Sequence, residues 1–240
     1  MEIQYACCTF PGDRECNEDC VKAVELEKGC CFIVADGLGG HGMGEVASAL
    51  VCESAAEFFA TADVEDIFGL FDVAQEKLLE KQKTEGVHDA MKTTMNIVTV
   101  CNEKIRWGHV GDSRTYYFKK NKLVSRTKDH SVPQMMVSMG EIKEKDIRHH
   151  EDRNRLLKVM GTEWSKPQYT IETPIKQEKN QAFLMCTDGF WELIEEKEMQ
   201  KTLKKSKSPQ EWLDTMAEMI RKNGAGYDMD NYTALAIWIN

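Results

Sequence analysis

Residues 30–59 change hydrophobic period in mid-course. CCFIVAD at 30–36 is an almost unbroken apolar run, as expected of a strand buried on both faces. It ends on Asp36, and the next eight residues, GLGGHGMG, include five glycines. From Glu45 the apolar residues Val46, Ala47, Leu50, Val51, Ala55, Phe58 and Phe59 recur at helical spacing, to about residue 60. Upstream, CVKAVEL at 20–26 alternates like a strand, and EKG at 27–29 reads as a turn. A hairpin therefore delivers Asp36 to its end, and a glycine-rich turn leads from there into a helix.

The remaining elements follow the same rules. A second helix is expected from about Val64 to Lys83. TTMNIVTVCN, KIRWGHVGD and RTYYFKKNKLV read as three consecutive strands, the last with a tight turn at KKNK. Residues 129–160 look helical and irregular, whereas PQYTIETPI and QAFLMCTD read as strands. SPQEWLDTMAEMIRKN is a helix with Ser208 as its cap and Pro209 at its first position. NYTALAIWI closes the chain as an alternating strand. Short turns between neighbours make the sheets mostly antiparallel. Strands in blocks and helices in blocks give an α+β class rather than a βαβ repeat. Without an internal repeat or linker, one domain over residues 1–240 is the expectation.

Net charge excludes some partners. The chain carries 31 basic and 40 acidic residues, for a net charge of −9, which argues against non-specific nucleic-acid binding. No apolar run is long enough to span a bilayer, and MEIQYACCTF lacks the pattern of a signal peptide. A soluble cytoplasmic protein without a membrane partner is expected. Nine cysteines, with no CxxC pair among them, suit reduced, small apolar residues better than disulfides or zinc.

Four aspartates share one context. Asp36 ends CFIVAD, Asp112 follows WGHVG, Asp188 ends AFLMCT, and Asp230 stands just before NYTALAIWI. A single Asp-Gly at a strand end is common turn chemistry. Four on separate strands suggest a shared site. Converging carboxylates repel one another and raise each other's pKa unless cations neutralise them. Hard divalent ions, Mg²⁺ or Mn²⁺, suit such oxygen donors.

NED at 17–19, VADGLGGHGMGEVAS at 34–48, GDSR at 111–114, TKDHS at 127–131, TDGFWE at 187–192 and DNYTALAI at 230–237 occur in this order. In this combination the chain resembles the metal-dependent Ser/Thr protein phosphatases of the protein phosphatase 2C type, in their compact bacterial form, from Gly12 to the C-terminus. The resemblance implies an α/β/β/α sandwich of two mostly antiparallel sheets flanked by helices. It implies that Asp36 bridges two metals while Gly37 offers its carbonyl. Asp188 and Asp230 complete the first metal's shell, and Asp112 with Asp188 holds a third, weaker ion. Arg14 takes the position that contacts the substrate phosphate, where a guanidinium's paired donors suit phosphate oxygens. Glu18 and Asp19 take positions that hold metal-bound waters, and Asn231 a position that orients Asp230. The implied reaction is direct attack of a metal-activated water on phosphoserine or phosphothreonine. The implied partners are phosphoproteins made by a Ser/Thr kinase, and a monomer suffices.

The match has departures. Leu38 stands where some relatives carry a histidine proposed as general acid, so the proton donor is unassigned among His41, His109, His130 and a metal-bound water. Lys92 replaces a small residue at a strand start. Residues 133–155 resemble the family's flap. A catalytically weak binding module of the same fold, or a metal-dependent hydrolase of small phosphoesters, are the competing readings.

Overall fold

The computed structural model describes every residue except 63, 64 and 88. In chain order the strands are β1 Ile3–Phe10, β2 Asp19–Leu26, β3 Gly29–Asp36, β4 Met95–Cys101, β5 Lys104–Val110, β6 Arg114–Lys119, β7 Lys122–Arg126, β8 Thr170–Ile171, β9 Ile175–Lys176, β10 Gln181–Cys186 and β11 Tyr232–Ile239. The helices are α1 Gly44–Thr61, α2 Ile67–Glu85, α3 Val132–Met139, α4 Asp188–Trp191, α5 Glu196–Leu203 and α6 Pro209–Asn223.

One sheet has the order β1-β11-β10-β6-β7 and the other β2-β3-β4-β5-β8, with β9 also on β5. The paired strands are antiparallel throughout. The side-chain alternation of single strands builds the layers. Phe32 and Val34 of β3 face the space between the sheets, where they meet Phe183, Met185, Leu235 and Ile237. Cys31, Ile33 and Ala35 point the other way, against Val51, Ala55, Phe59 and Leu78 of α1 and α2. On the far side, Leu184, Ala234 and Ala236 back onto Met199, Trp212 and Met216 of α5 and α6. Three apolar clusters between four layers give the α/β/β/α order.

Most predicted elements are present with small shifts. The expected helix from Glu45 is α1. The expected start of the second helix at Val64 lies outside the described residues, and α2 runs on to Glu85, where Gly86 closes it in the left-handed conformation. RTYYFKKNKLV is a hairpin, and Lys120 and Asn121 both have positive φ, as a tight turn between twisted strands demands. PQYTIETPI is the main correction: only Thr170–Ile171 and Ile175–Lys176 pair with β5. Pro167 and Pro174 lack amide donors and cut the run short. Three elements among the described residues were not expected: the edge strand β1 and the short helices α4 and α5. No helix among the described residues is long and apolar enough to cross a membrane.

The antiparallel pairing has a positional consequence. The start of β2, the end of β3, the start of β4 and the end of β5 lie at one end of their sheet. In the other sheet the ends of β1 and β10 lie with the starts of β6 and β11. Residues 111–113 join β5 to β6, and residues 11–18 join β1 to β2, so both ends are the same end of the sandwich.

Candidate metal centre

That end gathers the acidic residues. Asp36 is the last residue of β3 and lies directly opposite Asp19, the first of β2. Its backbone is clamped: the Asp36 N–H donates to Thr94 Oγ1 at 3.0 Å, and its carbonyl accepts from the Thr94 amide and the Thr93 hydroxyl, both at 2.8 Å. The Thr94 hydroxyl also meets Ser113 Oγ at 2.8 Å, which ties the Asp36 strand to the turn that carries Asp112. Trp191 Nε1 donates to the Asp112 carbonyl at 3.1 Å. Asp188 follows β10 and opens α4, and Asp230 immediately precedes Asn231 and β11.

Electrostatics shows how close these groups are. Burial, and then repulsion from Asp19, Asp188, Asp112 and Asp230, raise the Asp36 pKa well above the ordinary carboxylate range. Asp188 is raised likewise by burial, then by Asp112, Glu192, Asp230 and Asp19. Burial pushes Asp112 up to about 7, with Asp129 adding to it. Burial does the same to Asp19, also to about 7. Asp36 and Asp188 thus each lie within electrostatic reach of Asp112, Asp230 and Asp19. Among the described residues, however, no three His, Cys, Asp or Glu side chains stand in the arrangement that would hold a metal ion without adjustment.

The donor chemistry fits divalent cations. Mutually repelling buried carboxylates need a positive partner, and oxygen-only donors suit hard ions. Asp19 supplies an orphan: its Oδ2 accepts from Thr187 Oγ1 at 3.0 Å, while its buried Oδ1 has no partner. A buried carboxylate oxygen left without a donor is costly.

The glycine turn makes room for this arrangement. A Cβ on Gly37 would be driven into the Gly44 carbonyl and would sit 2.8 Å from the Glu18 carbonyl. The Gly37 N–H donates to that Glu18 carbonyl at 3.0 Å, and Ser48 Oγ of α1 donates to it at 2.6 Å. The Glu18 carboxyl lies against Gly39 and Gly44, and burial with nearby Glu45 raises its pKa. Asn231 divides its work. Its backbone N–H donates to Asp230 Oδ1 at 2.8 Å. Its side chain fixes the 11–18 loop, accepting from the Glu18 amide at 2.8 Å and donating to the carbonyls of Pro11 and Cys16 at 2.8 and 3.0 Å.

Arg14 stands at the rim. Its Nε donates to Asp230 Oδ1 and its Nη1 to Asp228 Oδ2, each at 3.1 Å. A cleft of about 680 Å³ opens beside Asp188 and Asp230, and Arg14, Arg148, Arg153 and Tyr227 also line it. Arg148 and Arg153 come from the 133–155 segment, which contains all but the first residue of α3 and a 3₁₀ turn at Glu144–His149. They pair with Glu196 at 3.1 Å and Glu192 at 2.9 Å. Sequence reading did not single them out, because a charged run gives no sign of which cleft it borders. Trp191 was missed too. Its ring lies under the Arg114 guanidinium at 3.4 Å, and Arg114 is held by Asp129 at 2.9 and 2.6 Å.

Two of the three histidines near motifs form a buried stack, His109 over His130, with ring centroids 4.4 Å apart. Burial lowers their pKa values, to about 4 and about 2. Both are therefore neutral at pH 7. His41 ends the exposed 3₁₀ turn Gly39–His41. At Lys92 the backbone carbonyl accepts from the Leu38 amide at 2.9 Å, after a buried Met91 with φ of 53°.

Comparison with known proteins agrees with this architecture. The family profile of protein phosphatase 2C matches residues 12–235. A serine/threonine phosphatase of Listeria welshimeri is 31% identical over 213 residues, covering 85% of this chain and 82% of the relative. The crystal structure of a Staphylococcus aureus serine/threonine phosphatase superposes with a TM-score of 0.87 at 23% identity, over 100% of this chain and 96% of that one. The catalytic domain of the phosphatase PstP, solved with two manganese ions, gives a TM-score of 0.81 at 23% identity, over 98% of this chain and 97% of that one. Matched over nearly all its length, this chain belongs to the protein phosphatase 2C family.

Proposed function

We infer that this chain is a metal-dependent phosphoprotein phosphatase that hydrolyses phosphoserine and phosphothreonine. The observation that carries the reading is the convergence of Asp36, Asp112, Asp188 and Asp230 from both sheets on one end of the sandwich, where burial and neighbouring carboxylates raise the pKa values of Asp36 and Asp188. All 240 residues act as one catalytic domain, with residues 133–155 as its flap. The protein works in the cytoplasm as a monomer, on the products of a Ser/Thr kinase.

Asp36 and the Gly37 carbonyl would help to hold two Mn²⁺ or Mg²⁺ ions. Asp188 and Asp230 would complete one shell, and Asp112 with Asp188 would hold a further ion. When bound, such ions act as Lewis acids on phosphoryl oxygens and lower the pKa of coordinated water. The chain's own groups supply the rest. Thr93 and Thr94 hold the Asp36 backbone still, so its carboxylate is pre-aimed. The free Asp19 Oδ1 and the Glu18 carboxylate are acceptors for ordered water. Arg14 is more than a third exposed, and its ion pairs with Asp228 and Asp230 are worth little in water. Its fork is therefore available to clamp two phosphate oxygens at the mouth of the cleft. His109 and His130 are neutral and enclosed, so neither supplies the leaving-group proton.

Hydrolysis of a phosphothreonine peptide in Mn²⁺, compared between wild type and Asp36→Asn, tests the reading. Partners that only support metal ligands already cost 10- to 100-fold, so loss of a bridging ligand is expected to cost about 100-fold or more. Undiminished turnover in Asp36→Asn, or in excess chelator, contradicts it. A phosphopeptide turned over no faster than a simple phosphate monoester would favour a small-phosphoester hydrolase instead.

A further inference from the structure

Cys20 and Cys52 have no role in the chemistry above, yet they are placed against each other beside it. Cys20 lies on β2, one residue after Asp19, and pairs with Ala35 on the face that α1 covers. Cys52 lies on α1, buried, with its Sγ 3.8 Å from the Cys20 carbonyl oxygen. Both side chains belong to the apolar cluster between β2, β3 and α1. One turn earlier on α1, Ser48 holds the Glu18 carbonyl at 2.6 Å. The helix thus grips residues 18–20 at two successive turns, through Ser48 on the Glu18 carbonyl and Cys52 on the Cys20 carbonyl.

The two cysteines differ in exposure. Cys20 is only partly buried, whereas Cys52 is 1% exposed. That division suits a dithiol in which an accessible sulfur meets the oxidant and an enclosed one resolves it. Neither occurs in a CxxC motif, so the pair is made by tertiary packing alone.

We propose that Cys20 and Cys52 are a reversible disulfide site, oxidised by peroxide, whose closure draws β2 toward α1 and slows the reaction at the adjacent acidic centre. The kinetic half of this rests on the phosphatase reading; the disulfide itself does not. The Cys20 sulfur attacks one peroxide oxygen, the O–O bond breaks, and a sulfenic acid forms with release of water. The Cys52 sulfur then attacks the Cys20 sulfur, the S–O bond breaks, and a second water leaves. The two thiols lose two electrons and two protons in all, and peroxide is reduced to two waters. A dithiol reductant reverses the step by exchange.

The displacement follows from bond lengths. A disulfide holds its sulfurs about 2.05 Å apart, well inside any thiol hydrogen bond. Closure therefore moves Cys20 relative to α1, and with it Asp19, which lies opposite Asp36. Misplacement on the order of 1 Å can cost about 100-fold in rate.

The test uses the full chain, reduced and then exposed to hydrogen peroxide, alkylated, and digested without reductant for peptide mass mapping. The expected product is a cross-link between the peptides that carry Cys20 and Cys52, absent from Cys52→Ser, where dimedone traps Cys20 as its sulfenic acid. If Cys52→Ser does not fold, Cys52→Ala serves, and the wild-type map decides by itself. A dominant link through exposed Cys7 or Cys16, or between Cys31 and Cys52, overturns the site, as does a Cys20–Cys52 pair left reduced. In the same samples, turnover of a phosphothreonine peptide is expected to fall about tenfold or more and to recover in dithiothreitol. A mapped 20–52 link with unchanged turnover overturns the kinetic half only. A reduced protein with no turnover at all indicts the phosphatase reading and leaves the disulfide standing.

Discussion

At the scale of single residues, the site depends on what is missing as much as on what is present. Gly37 lets the chain fold back so that its own backbone touches the Gly44 backbone. Gly37→Ala forces a methyl group into a carbonyl that neither neighbour can move, and overpacking of this kind costs about 1–3 kcal/mol. Thermal unfolding should show that loss. Gly40→Ala, where a Cβ has nothing within 4 Å, should stay within about 0.5 kcal/mol of wild type. Equal effects at the two positions would refute the packing account. Gly189 has the same role on the opposite sheet, where a Cβ would strike the Asn231 carbonyl. The aspartates were legible in the sequence because each adjoins an apolar strand that fixes its backbone. Thr93, Thr94, Thr187 and Trp191 were not, because they act through contacts between strands far apart in the chain. No local pattern encodes a hydroxyl that caps another strand's carbonyl.

Among elements, legibility followed length and period. α6 was readable because its apolar positions Trp212, Leu213, Met216, Ala217 and Ile220 recur at helical spacing and its start carries a cap. The Ser208 hydroxyl accepts from the Glu211 amide at 3.1 Å, and the Glu211 carboxylate accepts from the Lys207 amide at 2.7 Å. Ser208→Ala is therefore expected to cost about 1 kcal/mol, measured by denaturant unfolding, with phosphatase turnover unchanged. A cost near zero would show the cap to be idle. α5 has only eight residues, with Met199, Thr202 and Leu203 buried, too little for a period to emerge. β1 alternates between exposed Tyr5, Cys7 and Thr9 and half-buried Ala6, Cys8 and Phe10, but small residues blur the contrast. It is held by its register with β11, a partner more than 200 residues away. The prolines of PQYTIETPI carried the opposite signal, and there alternation misled.

For the whole molecule, two sheets that each bury one face against helices and one against each other bring their acidic ends together. That assembly has a thermodynamic signature. Asp19 and Asp112 titrate near 7 in the fold, Asp36 and Asp188 higher than an ordinary carboxylate, against about 3.9 in the unfolded chain. The folded protein thus binds more protons than the unfolded chain between about pH 4 and pH 7. As far as these groups decide, chelator-treated protein should be most stable below about pH 4 and lose stability steadily as pH rises through 7. Each tenfold change in proton affinity contributes about 1.4 kcal/mol. Mn²⁺ at pH 7.5 should restore the loss by neutralising the same carboxylates, so the melting temperature should rise with metal and rise less in Asp36→Asn. A chelated protein that is more stable at pH 7.5 than at pH 5 would refute the carboxylate repulsion.

The most direct measurement is the anomalous scattering of crystals soaked in manganese. Two strong peaks are expected, bridged by Asp36 and flanked by Asp188 and Asp230, with a weaker third peak between Asp112 and Asp188. Saturating manganese with no peak among these residues, or peaks only elsewhere on the surface, would contradict the account.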